Sequence, residues 1–159
     1  MIIILNTINY QALLFSIQGS EGEFFGRKGW KPAMLHHISF AVADLDRSAA
    51  FYDAALATLG YVRVWADSTA VGYGLPNDGD KFAIKLRPER PTPAGSGFHL
   101  AFAASSREAV ARFHAVALEH GGQDNGIPEL CPEYGEHYYA AFVIDPDGYP
   151  IEAVINEPV

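Results

Sequence analysis

From His37 onward the alternation of apolar and polar positions spells out one order of elements twice. HHISFAV at residues 36–42 alternates as a half-buried strand, and FHLAFAA at 98–104 repeats it. A shift of 62 positions superposes His37 on His99, Phe40 on Phe102, Phe51 on Phe113, Ala55 on Ala117 and Gly60 on Gly122. Self-similarity at a fixed offset marks a repeated supersecondary unit. In each copy the strand runs into a pattern of helical period. Leu45, Ala49, Tyr52, Leu56 and Leu59 form the first stripe, with Asp44 as N-cap and Gly60 as stop. Ala109, Phe113, Val116 and Ala117 form the second, with Ser105 and Glu108 as an expected capping box and Gly121 as stop. YVRVWAD, TAVGYGL and KFAIKLR follow the first helix as strands. A weaker GGQDNGI, then YYAAFVI and YPIEAVI, follow the second, and PNDGD and DPDG supply turns. The expected order is βαβββ twice, with RPERPTPAGSG at 87–97 as linker.

Residues 1–33 break this pattern and are expected to form an N-terminal extension that covers a sheet edge or a neighbouring subunit. The repeat itself occupies residues 34–156, divided into modules 34–87 and 97–156. The chain's 159 residues suffice for one domain with a proper core. A net charge of −8 and a pI near 5.1 argue against nucleic acid or an anionic membrane as partner. Cys131 is the only cysteine, which excludes an intramolecular disulfide and a cysteine-built zinc site and fits a cytoplasmic setting. MIIIL is too short to span a bilayer and lacks the features of a secretory signal.

Alternation also sorts the side chains by face. Ile38, Phe40 and Val42 point one way, and His37, Ser39 and Ala41 the other; Leu100 and Phe102 oppose His99, Ala101 and Ala103. One face packs under a helix, while the other carries a histidine followed by small residues and leaves room for a ligand. Glu152 lies mid-strand among apolar residues, where an unpaired carboxylate is costly. A metal held by His37, His99 and Glu152 resolves that cost; a pair between Glu152 and Lys85 across the cup is the alternative. Tyr134, His137, Tyr138 and Tyr139 are candidates for the pocket mouth, with strand-edge packing as their other role. Arg63 and Trp65, two residues apart on one strand, are expected on one face and are weaker candidates for substrate contact. Asp145 and Asp147 are expected to hold the DPDG turn. His36 reads as a surface or packing residue, and neither His114 nor His120, both on the second helix, is assigned to the site.

HHISFAVADLDRSAAFYDAALATLGY and YYAAFVIDPDGYPIEAV resemble the vicinal oxygen chelate superfamily, the glyoxalase, bleomycin-resistance and extradiol-dioxygenase group. The likeness covers roughly residues 34–156. It implies an α+β fold in which paired βαβββ modules form a cup-shaped mixed sheet with helices outside, often completed in a homodimer. It also implies a divalent metal, manganese, iron(II), nickel or zinc, on the concave face. Carried across, the first-strand ligand slots are His37 and His99, and the last-strand slot of the second module is Glu152. The corresponding slot of the first module falls in KFAIKL, nearest Lys85, where glyoxalases of the group carry Glu or Gln. A protonated lysine cannot ligate a metal. The expected function is therefore a metal-dependent lyase, dioxygenase or transferase acting on a small vicinal-oxygen substrate. The alternative is a metal-free protein of the same fold that sequesters a small molecule. No catalytic base is identified.

Overall fold

In both copies an apolar strand with a central phenylalanine is soon followed by an acidic or hydroxyl N-cap, so the chain turns from extended to helical within four residues. β1 (Ile38–Val42) leads into α1 (Leu45–Ala57), whose N-cap Asp44 accepts a hydrogen bond from the Arg47 N–H at 3.0 Å. β5 (Leu100–Ala103) leads into α2 (Arg107–Glu119). Here the cap is Ser106, which accepts from the Ala109 N–H at 3.1 Å, one residue later than the expected Ser105. The 62-residue repeat carries helix Leu45–Ala57 onto Arg107–Glu119 end to end. Gly60 and Gly121 follow the helices with φ of 87° and 97°, a conformation that a side chain disfavours. The structure, a computed structural model, describes residues 34–89 and 95–158. The expected extension at 1–33 and the middle of the linker lie outside the described residues.

Three strands follow each helix: β2 (Val62–Ala66), β3 (Ala70–Gly74) and β4 (Phe82–Leu86), then β6 (Gln123–Leu130), β7 (Tyr138–Ile144) and β8 (Pro150–Asn156). They form two four-stranded sheets with orders β1-β4-β3-β2 and β5-β8-β7-β6. β1 pairs with β4, and β5 with β8, in parallel; the other pairings are antiparallel. Both first strands are therefore edge strands among the described residues.

The helix-facing sides of both sheets share one core. Phe40, Val42, Tyr73, Phe82 and Ile84 of the first module join Val110, Phe113, Val143, Ile151 and Ala153 of the second. The Phe82 ring packs on those of Phe40, Tyr52 and, across the seam, Phe102. Burying a side chain of this size contributes roughly 1.5–3 kcal/mol. The DPDG turn adds a polar clamp. Asp145, 1% exposed, accepts from the Tyr52 hydroxyl at 2.6 Å and from the N–H groups of Asp147 and Tyr149. Asp147 reaches the start of α1, accepting from the Ala43 N–H and from the Arg47 and Ser48 side chains. Burial raises the Asp145 pKa, and burial followed by the Asp145 charge raises that of Tyr52. These aspartates thus hold the turn and also tie the second module to the first. Among the described residues no helix is long and apolar enough to cross a membrane.

Candidate functional site

The strand register sets what each concave face presents. In the second sheet Ala101, Glu152, Phe142 and Gly126 stand side by side across four strands. In the first, the same row reads Ser39, Ala83, Gly72 and Trp65. The counterpart of Glu152 is therefore Ala83, and Lys85 sits one row further on, opposite Ala41. The assignment of Lys85 to that slot is corrected by two residues: β4 meets β1 at Ser39 through Ala83, a register that spacing along the chain does not reveal. Each row also sets an aromatic ring against a glycine. A Cβ on Gly72 would come within 2.2 Å of the Trp65 indole, and one on Gly126 within 2.8 Å of the Phe142 ring.

A bulge in β2 overturns another expectation. Arg63 pairs with Tyr73 and Trp65 with Gly72, so one extra residue separates them and they face opposite ways. Arg63 turns to the helix side and forms an ion pair with Asp53 of α1, while Trp65, 38% exposed, lies on the concave face.

Glu152 is fully buried although it faces the cup. One oxygen, Oε1, accepts a 2.6 Å hydrogen bond from the Tyr138 hydroxyl. The other, Oε2, has no hydrogen-bond partner among the described residues and lies 3.2 Å from His99 Nε2. A buried carboxylate oxygen left without a donor is uncommon and costly. Burial, then the bond to the Glu152 carboxylate, push the Tyr138 phenol pKa well up, which keeps it a neutral donor. The Lys85 partnership does not form: Glu152 meets His99 and Tyr138, and Lys85 belongs to the other sheet.

Above this pair opens a cavity of about 730 Å³, lined by Phe98, His99, Asn125, Tyr134, Tyr138 and Phe142 among others. Tyr134 packs edge-on against Tyr138 at 5.4 Å. His137 is half-buried and does not line the cavity, and Tyr139 turns away, its hydroxyl donating to the Pro128 carbonyl and its ring lying under Arg107. Phe142 was readable as a wall residue, since it shares parity with Tyr138 in YYAAFVI. Asn125 was not, because irregularities in β6 set its direction.

His37 stands apart. It is exposed, 2.9 Å from His36 through their Nδ1 atoms, and borders a separate apolar cavity of about 380 Å³ that also includes Ala101. Among the described residues no three His, Cys, Asp or Glu side chains converge as a metal site. A single chain thus brings together His99 and Glu152 and leaves out His37. Imidazole nitrogen and carboxylate oxygen are a donor pair suited to a divalent transition ion.

Residues 34–153 match the Glyoxalase/Bleomycin resistance protein/Dioxygenase superfamily. Among solved structures, a glyoxalase/bleomycin resistance protein from Albidiferax ferrireducens is 34% identical over 77% of this chain and 98% of its own, with a TM-score of 0.66. A putative glyoxalase from Bacillus halodurans is 29% identical over 77% and 95%, with a TM-score of 0.58. A bleomycin-binding protein complexed with bleomycin shares the fold at 23% identity over 80% and 100%, with a TM-score of 0.53. Among curated proteins no match is found. With its paired βαβββ modules and a family match over three quarters of its length, the chain belongs to the Glyoxalase/Bleomycin resistance protein/Dioxygenase superfamily.

Proposed function

We propose that the protein is a divalent-metal-dependent enzyme acting on a small substrate with two adjacent oxygens. The observation that carries this reading is Glu152 Oε2, buried, without a hydrogen-bond donor, and 3.2 Å from His99 Nε2 beneath an aromatic-walled cavity. His99 and Glu152 hold the ion from one chain, and His37 of a second copy supplies the third donor. Among the described residues β1 and β5 are edge strands, each preceded by an exposed histidine, and edge strands favour association, which supports such pairing. When bound, the ion supplies Lewis acidity to the substrate oxygens. Tyr134, Tyr138 and Phe142 orient a flat ligand and exclude water from it, and the Tyr138 hydroxyl holds the carboxylate in place.

A second reading is a metal-free protein that sequesters a small molecule. It is favoured by the His99–Glu152 contact itself, 3.2 Å between Nε2 and Oε2, which gives the buried carboxylate a neighbour from its own chain. The fold shared with a bleomycin-binding protein is consistent with it.

Metal per chain distinguishes the two. The purified protein is loaded with manganese, iron(II), nickel or zinc, desalted and assayed for metal, beside His99→Ala, His37→Ala and the two variants co-expressed. Stoichiometric metal in the wild type and none in either variant is expected. The co-expressed pair should regain about a quarter of the wild-type content, because half the dimers are mixed and each rebuilds one of two sites. No metal from any of the four ions, with tight binding of a flat aromatic compound, would establish the sequestering reading instead.

A further inference from the structure

Resting on the metal-site reading above, we infer that Tyr138 is a positioning residue that restricts Glu152 to one metal-binding oxygen, Oε2, by occupying Oε1. Three observations carry it. The phenol donates to Oε1 at 2.6 Å. Oε2 is left without a donor and faces His99 Nε2 at 3.2 Å, so the carboxylate is already divided between an oxygen in use and an oxygen on offer. Tyr138 and Glu152 also lie on the same face of adjacent antiparallel strands, with Phe142 opposite Glu152 and Asn156 opposite Tyr138. The row between them on that face is Ala140 and Val154, and the phenol crosses it on the side of the fully buried Ala140, on its own strand, to reach the carboxylate.

The turn before β7 aims the ring. Cys131 N–H donates to the Tyr138 carbonyl at 2.8 Å, and Tyr138 N–H donates to the Gly135 carbonyl at 3.1 Å. Tyr134 packs against the ring from the cavity side. The first module has no equivalent, since Ala83 and Gly72 replace Glu152 and Phe142 in its row. The extra turn in the second module therefore places a partner for a carboxylate that only this module possesses.

A carboxylate held by one oxygen leaves the ion a coordination position that two-oxygen binding would take. Hydrogen-bond partners of metal ligands commonly change metal affinity by about 10–100-fold. The test is titration of metal-free protein with cobalt(II), reading affinity and the visible absorption bands, in wild type, Tyr138→Phe and Tyr139→Phe. Tyr139→Phe is the control: it removes a hydroxyl one residue away whose bond goes to Pro128, outside the cavity. Tyr138→Phe should weaken cobalt binding by about tenfold or more and shift the bands, as the freed oxygen joins the ion. Tyr139→Phe should alter melting of the metal-free protein but neither affinity nor spectrum. Unchanged affinity and bands in Tyr138→Phe, with wild type binding cobalt, would overturn the inference alone. Failure of wild type to bind cobalt would overturn it together with the metal-site reading.

Discussion

Replacing Asp147 by alanine tests whether the second module's turn secures the first module's helix. Asp147 Oδ1 accepts from the Ala43 N–H at 2.9 Å and the Arg47 guanidinium at 2.7 Å, while Oδ2 accepts from the Ser48 hydroxyl at 2.5 Å. The Asp147 side chain is 1% exposed and that of Arg47 46%. The Arg47 pair, half in water, contributes under about 1 kcal/mol. Ser48 is fully buried, and leaving its hydroxyl without a partner costs roughly 1–3 kcal/mol. Loss of an anion beside the first turn of α1 adds roughly 0.3–1 kcal/mol. The expected total is about 3 kcal/mol, or near 10 °C in melting temperature for a chain of this length. Urea unfolding followed by circular dichroism gives the number. Asp147→Asn, which keeps one acceptor oxygen, turns the other into a donor and loses the charge, should fall about midway. A loss below about 0.5 kcal/mol in the alanine variant would refute the claim that this turn joins the modules.

Two further outcomes follow from the geometry. Gly72→Ala puts a methyl group where the Trp65 indole lies, so the ring must leave the sheet; its fluorescence should shift to the red in a Trp30→Phe background, and an unchanged spectrum would contradict the packing. Asp124 is hydrogen-bonded first by His114 and then by the Gly126 N–H, which hold its pKa below the ordinary 3.8. Because that pKa is lowered on folding, its contribution is complete above the unfolded value and disappears as pH falls below it. The stability difference between wild type and Asp124→Asn should therefore narrow on acidification through that window, and denaturation across a pH series would reveal a constant difference if the reasoning fails.

Two residues of the candidate site already stood out in the sequence. Glu152 was conspicuous because an acidic residue in YPIEAVI demands an explanation wherever it points, and His99 because it begins a strand otherwise made of small and apolar residues. Tyr138 was visible only as one tyrosine among three, since its bond to Glu152 joins residues 14 positions apart. Trp65 was placed with Arg63 because strict alternation assumes an unbroken strand, and the bulge in β2 breaks it.

Local chemistry was enough to define the order of elements, the cap of the first helix and the buried faces, because capping, helical period and strand alternation each act over a few neighbouring residues. The equivalence of Ala83 with Glu152 was not available at that range: it depends on how β4 aligns with β1, some 44 residues away, and each register is chosen by the packing of a whole face. Nor did the repeat disclose that His37 and His99 border different cavities. Two copies of one pattern can close on each other in one chain or across two. In this chain the helix-facing sides share a core, so the side chains that bury together determine which concave residues meet.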